Sequence, residues 1–423
     1  MGHASVVTLR LRRGRAKPLH AGHPWVFADA LAPDADPAPQ PGDEVRIADA
    51  QGQILGHGYY SPTSAIAVRL LTRGDQPVTD ELLASRLDQA LRLRAEVLCL
   101  GDAAAGAVQA PQPAPQPRPG AVGPTTAYRL VHSEGDGLGG LIVDVYGPWL
   151  CLQLGTVGMF RRREAILDLL EQRLRPRGIL DRSDAHMRRL EGLPAPQVGP
   201  LRGEPPEAPV EVLEEGIPLL ADPRPGHGQK TGLYLDQREN RAAFASYASG
   251  REVLDVFSYT GAFSLHAARA GARSLTLIES GAGALEAARR NLERNAIGDA
   301  DLVCADWKDG FRHLREAGRL FDLAVLDPPR FSRGRQTMDS ALAGYHELNQ
   351  QAARLMRAGG ILFTCCCSGS VPETDFERAV AWALHQAGRR ATLLDRRGAA
   401  RDHPIPPGFE QGRYLKCLVL KLD

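Results

Sequence analysis

The sequence predicts an α/β protein whose C-terminal half is organised on a parallel sheet, with two smaller β-containing domains before it. Three observations point this way. From about residue 226 onward, short apolar runs alternate with stretches of helical period. Residues 253–279, VLDVFSYTGAFSLHAARAGARSLTLIE, form a complete strand–turn–helix–strand unit. Before residue 226 the pattern changes to short β-like segments punctuated by Gly, Pro and Asp.

Within that unit the apolar run 253–257 reads as a strand buried on both faces. Gly271 stops a helix carrying Phe263, Leu265 and Ala267, and the second strand, 275–278, ends in Glu279. Ligands of such sheets bind at the carboxyl ends of the strands, and an acid at this place grips a pair of ribose hydroxyls. A dinucleotide site needs G-x-G-x-x-G in the turn. Here only Gly261 is present, and Phe257 and Tyr259 stand where small residues are required, which disfavours a dehydrogenase. S-adenosylmethionine carries a ribose and no phosphate, so one acid and one close backbone approach suffice. The candidate contacts are Phe257, Ser258, Thr260 and Gly261 in the turn, Glu279 and Ser280 at the ribose, and Asp255 for the amino-acid part. An ordinary βαβ unit with an incidental Glu is the alternative.

The other elements follow in order. Residues 1–75 read as a small β-rich domain with strands at 44–47, 54–60 and 65–71, turned at Pro41-Gly42-Asp43 and Gln51-Gly52. Arg10, Arg12, Arg13, Arg15 and Lys17 precede any acid. A basic barrel suits an RNA-binding module, and a solvated basic edge strand suits the same charges. Residues 76–125 hold a helix at 80–99 and a Pro- and Ala-rich stretch, 103–124, expected to be an extended, mobile insertion. Residues 126–225 read as an α+β domain with strands 128–132, 141–145 and 150–154, a helix 161–175 and a hairpin 210–221 around Glu215-Gly216. The Gly-rich stretch 135–140 is a tight turn, since no helix opens after it.

In residues 226–423 a helix over 283–295 leads to a strand 301–304 and then to Asp306-Trp307. That pair suits an adenine: the carboxylate accepts from the exocyclic amine and the indole packs on the ring. Strand 321–326 runs into Asp327-Pro328-Pro329-Arg330-Phe331. A helix with Leu342, Tyr345, Leu348 and Leu355 is expected to end at Gly359-Gly360, and strand 361–364 to run into Cys365-Cys366-Cys367-Ser368. A helix from Glu373 and strands 391–394 and 414–422 complete the order.

Composition bounds the function. The 423 residues have a net charge of +1, so an RNA-binding surface has to come from local arrangement. No apolar run is long enough to span a bilayer, and no signal peptide is seen, so a cytoplasmic protein without a membrane partner is expected. Seven cysteines without a C-x-x-C pair fit a reducing compartment and argue against a disulfide framework or a structural zinc. No metal is expected. The oligomeric state, a homodimer included, is left open.

Several stretches together resemble one family: HPWVF at 23–27, GQKTGLYLDQREN at 228–240, DVFSYTG at 255–261, LDPPRF at 326–331, TCCCSG at 364–369, DHP at 402–404 and GRYLK at 412–416. The chain resembles the PUA-domain-containing, S-adenosylmethionine-dependent 23S ribosomal RNA cytosine-5 methyltransferases. The resemblance covers nearly the whole chain apart from the Pro-rich stretch. It implies a PUA-like domain, a central α+β domain and a class I methyltransferase (Rossmann-like) domain acting on large-subunit ribosomal RNA. It also implies that the nucleophile is the Cys before Ser-Gly, Cys367.

Cytosine-5 chemistry makes its own demand. C5 of cytosine is a poor nucleophile until a thiolate adds at C6, so an accessible cysteine must stand near the methyl donor. On an extended backbone Cys365 and Cys367 share a side and Cys366 points away, which leaves Cys365 as a rival; three buried structural thiols are the bland alternative. Asp327 would hold the N3/N4 edge of a flipped base, with Phe331 packing nearby. The same Asp-Pro-Pro-x-Phe loop suits an RNA N-methyltransferase acting on guanine or adenine, and a non-catalytic RNA-binding protein could keep the fold.

Overall fold

The computed structural model describes residues 6–33, 38–100, 123–197, 199–226, 231–331 and 338–423. The expected insertion at 103–124 lies almost wholly outside them, as do Gly228, Gln229 and Lys230. The chain divides into two compact units. One comprises Met1–Val212, Ala221–Leu233 and Arg401–Glu410; the other comprises Leu213–Leu220, Tyr234–Ala400 and Gln411–Asp423.

The first unit opens with β1 (Val7–Arg10), β2 (Trp25–Phe27), β3 (Glu44–Ala48), β4 (Ile54–Tyr60) and β5 (Ile66–Leu70), in the sheet order β1-β3-β4-β5-β2. The chain just beyond the two edge strands is tied by a Leu11–Leu31 bridge, with Arg12 N donating to Ala30 O at 2.9 Å and Ala32 N to Arg10 O at 2.8 Å. This closes the sheet and disposes of its open edges. Val26, Val45, Ile47 and Val68 are fully buried inside it. The predicted helix appears as Asp80–Val97, with the Thr79 side chain accepting from Leu82 N at 3.2 Å as an N-cap.

A second sheet follows: β6 (Ala127–His132), β7 (Leu141–Tyr146), β8 (Trp149–Leu154), β9 (Gly178–Asp181) and β10 (Pro200–Gly203), in the order β10-β9-β8-β7-β6. The helix expected at 161–175 is broken into Val157–Arg161 and Arg163–Leu174. Asp402 of the DHP stretch is structural: its Oδ2 accepts from Arg129 N at 2.9 Å, and its carbonyl accepts from the buried Arg94 guanidinium at 2.8 Å. β11 (Val210–Glu214) and β12 (Ile217–Ala221) form the expected hairpin.

The second unit is built on seven strands: β13 (Glu252–Val256), β14 (Ser274–Glu279), β15 (Ala300–Cys304), β16 (Phe321–Leu326), β17 (Met356–Cys366), β18 (Ala391–Arg397) and β19 (Lys416–Leu422). Their order is β15-β14-β13-β16-β17-β19-β18; the first five are parallel, and β19 runs antiparallel between β17 and β18. One expectation is corrected here. The helix Met338–Ala353 stops well before Gly359-Gly360, which lie inside β17. Leu355 and Met356 continue the buried apolar run directly into the strand, and an irregularity follows in which Ala358 and Gly359 are exposed, Gly359 at φ +78°, while Gly360 is already buried. Consequently Cys365 and Cys366 belong to the strand itself. Among the described residues no helix is long and apolar enough to cross a membrane, and no His/Cys/Asp/Glu group is placed to hold a metal.

Candidate active site

The turn after β13 is the most strained segment of the second unit. Phe257 (φ 64°), Tyr259 (φ 49°) and Gly261 (φ 76°) are all left-handed within five residues. For the two non-glycine residues this costs about 1–2 kcal/mol each, and such strain collects at ligand sites. Glu279, at the end of β14, holds the turn: its Oε2 accepts from Tyr259 N at 3.0 Å and its Oε1 from Gly281 N at 2.8 Å. Ser280 is exposed and its hydroxyl donates to the same carboxylate at 3.4 Å. The side-chain hydroxyls of Ser258 and Thr260 are buried in the turn without a partner among the described residues. A buried hydroxyl left so is costly, and a polar ligand seated on the turn would satisfy both.

Several of the residues expected at the ligand are also engaged within the fold. A Cβ on Gly261 would meet Ala288 Cβ at 3.1 Å and Leu277 Cδ2 at 3.3 Å, so this glycine serves the left-handed turn and the packing of helix Ala282–Arg294. Asp255 is buried and accepts from Ser264 N at 3.2 Å and Ser264 Oγ at 2.7 Å, at the start of helix Ala262–Arg269. Its carboxylate is thereby engaged within the fold. Burial pushes its pKa up to about 7, the Ser264 hydrogen bonds oppose this, and the Asp327 and Glu279 charges add to it. The indole of Trp307, expected on a ligand ring, is directed into the core edge-to-face with Phe311, centroids 5.5 Å apart. Asp306 is exposed, and its carboxylate accepts from Lys308 N at 2.9 Å as the N-cap of helix Trp307–Glu316.

The Asp327 loop and the cysteine run come together at the ends of β16 and β17. Cys365 and Cys366 are fully buried, and Cys365 faces Cys417 across the antiparallel pair. The Cys417 thiol and burial both push the Cys365 pKa well up. Cys367, one residue past the strand, is half-buried; its thiol donates to Pro328 O at 3.6 Å. Arg330 Nε in turn donates to Cys367 O at 3.1 Å. Phe331, expected beside a flipped base, packs edge-on against Tyr345 at 4.8 Å. Sequence reasoning passed over two residues here. Tyr234 stacks edge-on with Tyr259 at 5.4 Å, and burial and then the Asp327 charge hold its phenol well above the usual range. Lys416 Nζ donates to Ser368 O at 2.6 Å. Both sit inside quoted motifs, GLYLD and GRYLK, which were the only signal.

Two family models match the chain: a PUA-like domain over residues 9–73 and an S-adenosylmethionine-dependent methyltransferase over residues 189–392. Ribosomal RNA large subunit methyltransferase I of Shewanella frigidimarina is 36% identical over 420 residues, covering 98% of this chain and 99% of that protein. The chain belongs to the ribosomal RNA large subunit methyltransferase I family. The protein of the same name from Alteromonas mediterranea is 36% identical over 416 residues, covering 97% and 98% of the two chains. This member is an S-adenosylmethionine-dependent methyltransferase with an N-terminal PUA-like domain, as its sequence leads one to expect. A methyltransferase crystallised with S-adenosylhomocysteine matches at a TM-score of 0.80 and 21% identity, over 98% of this chain and 100% of that one. An S-adenosylmethionine-dependent methyltransferase from Streptococcus mutans matches at 0.79 and 21%, over the same shares. At that identity the likeness is one of fold, and it bears out the class I α/β architecture.

Proposed function

We propose that this family member methylates C5 of a cytosine in large-subunit (23S) ribosomal RNA, with Cys367 as nucleophile. The observation that carries the reading is the contrast within the cysteine run: Cys365 and Cys366 are sealed in the sheet, while Cys367 is half-buried against the Asp327–Arg330 loop. Addition of Cys367 Sγ at C6 breaks the ring conjugation and makes C5 enamine-like. Bound S-adenosylmethionine supplies an electrophilic methyl group for that carbon. Loss of the C5 proton to a base and β-elimination of the thiolate then restore the aromatic ring. Asp327 accepts from the N4 amine and so orients the base. Glu279 would hold the ribose hydroxyls of the cofactor, Ser258 and Thr260 would offer their hydroxyls to its polar atoms, and Asp306 would accept from the adenine amine.

N-methylation of guanine or adenine would need the Asp-Pro-Pro carbonyl free to accept from an amine. The Cys367 thiol already stands at this loop, donating to the Pro328 carbonyl at 3.6 Å, so that a nucleophile lies where the base would be held, which favours the cysteine route. Mass spectrometry of nucleosides, after incubating ribosomal RNA with the protein and labelled donor, tests the reading. Labelled 5-methylcytidine is expected; label on a guanosine or adenosine would overturn it.

A further inference from the structure

Two cations converge on the backbone of the Cys367-Ser368 segment. From one side Arg330 Nε donates to the Cys367 carbonyl at 3.1 Å. From the other, Lys416 Nζ donates to the Ser368 carbonyl at 2.6 Å and to Tyr414 O at 3.4 Å. Lys416 opens β19 directly opposite Cys366, and its side chain is buried, with 6% of the residue exposed. A buried ammonium is costly, and for core packing alone an apolar side chain in this register would serve. Both of its hydrogen-bond partners are neutral carbonyls, so its charge is solvated by dipoles and remains felt nearby.

We propose that Lys416, assisted by Arg330, is a positioning residue that fixes the Cys367 backbone and supplies the positive potential in which the Cys367 thiolate forms. The proposal rests on the reading of Cys367 as nucleophile. Thiolates form at neutral pH beside Lys or Arg, and a cation within about 4–6 Å lowers a thiol's pKa by roughly 1–3 units. Other groups face the same segment. Asp327 opposes thiolate formation, the phenols of Tyr234 and Tyr345 and the Cys366 thiol are the remaining titratable neighbours, and Glu373 acts on Lys416. Burial pulls the Lys416 pKa below its usual value, while the Cys366, Glu373 and Cys367 charges pull it back up, the reciprocal of the same coupling. The second cation offsets Asp327. Pinning the carbonyls of two successive residues also holds the thiol at the loop when the pairing of its strand has ended.

The test is the pH dependence of iodoacetamide alkylation at Cys367, followed by peptide mass spectrometry on the full chain without donor or RNA. Lys416→Met should raise the midpoint by about one unit, slowing alkylation at pH 7 about tenfold. Arg330→Gln, at an exposed side chain that the fold tolerates, should shift it the same way by less. Arg330→Gln also carries the test if Lys416→Met fails to fold, as judged by its melting curve. A midpoint that moves in neither variant would overturn the proposal. The underlying reading fails separately: methyl transfer surviving in Cys367→Ala would remove the nucleophile while leaving the measured alkylation shifts as they are.

Discussion

The Cys367 thiol donates to the carbonyl oxygen of Pro328 across 3.6 Å. With the Arg330 Nε bond to Cys367 O at 3.1 Å, this contact joins the cysteine run to the Asp327 loop, the two motifs that had to be weighed against each other in the sequence. Cys367→Ala should bind donor normally and transfer no methyl group. Cys365→Ala should stay active within a modest factor, because its thiol is sealed against Cys417, at a stability cost of about 1 kcal/mol. RNA with 5-fluorocytosine at the target should trap the wild type and Cys365→Ala as a denaturation-resistant band. A band that persists in Cys367→Ala and vanishes in Cys365→Ala would reassign the nucleophile.

Glu279 holds the turn by accepting from Tyr259 N and Gly281 N, and it stands at the end of β14, where the acid of such a sheet is expected to meet a ribose. Glu279→Ala should weaken S-adenosylmethionine binding by about ten- to a hundredfold, the loss of a charge-assisted hydrogen bond worth roughly 1.5–3 kcal/mol. Glu279→Gln should fall between the two. Calorimetry giving unchanged affinity for the alanine variant would remove this residue from the site.

Gly261 is held at φ 76° with Ala288 and Leu277 within 3.3 Å of where a Cβ would sit. Gly261→Ala should destabilise the protein by about 1–3 kcal/mol through the left-handed strain and the contact with the neighbouring helix. Thermal melting with and without donor measures this. A melting temperature equal to the wild type's would mean that the turn relaxes freely.

The strands around this site were legible because strands buried on both faces read as continuous apolar runs, and Phe321–Leu326 was read to the residue. β1, β2, β9 and β10 were missed; each has four residues or fewer, too few for a period to show. Gly359-Gly360 misled because a glycine pair marks a helix end and a strand irregularity equally well. The site was legible as a set of residues and less so as a set of directions. Trp307 and Phe331 follow the ends of β15 and β16 as expected, yet their side chains turn into the fold, toward Phe311 and Tyr345, and Asp255, still inside β13, turns toward Ser264. Which way a side chain points after its strand has ended depends on what packs there, and that is set by distant segments. Lys416 is the converse case. Its role near Ser368 arises only when β19 pairs with β17.

The basic start of the PUA-like domain is expected to assist RNA binding. Arg10, Arg12 and Arg13 are exposed, although Arg12 Nε donates to Leu31 O at 2.9 Å and Arg15 pairs with Asp29 at 3.1 Å. Replacing Arg10, Arg12 and Arg13 by Ala should weaken RNA binding and flatten its dependence on salt by up to about one unit of slope per lost phosphate contact. Binding titrations at several salt concentrations check this. An unchanged slope would show a solvated face, and donor affinity should be unaffected.

Asp255 gives a pH dependence with a definite sign. Its carboxyl has a pKa of 3.8 in the unfolded chain and is pushed up to about 7 in the folded one, with burial the largest cause. Below pH 4 both states are protonated and nothing is lost. Between about pH 4 and 7 the folded state keeps a proton that the unfolded state releases, so this group's contribution to stability falls as the pH rises. Above pH 7 both are ionised and the full penalty, a few kcal/mol in order of magnitude, is in force. Asp255→Asn cannot ionise, and its side-chain carbonyl can still accept from Ser264. The stability of the wild type minus that of Asp255→Asn should therefore decline steadily from pH 4 to 8, and the asparagine variant should be the more stable at the upper end. Urea unfolding of both proteins across that range measures the difference, in which the contributions of titrating groups not coupled to Asp255 cancel. A difference that stays flat with pH would mean that the carboxylate is ionised throughout, held so by Ser264.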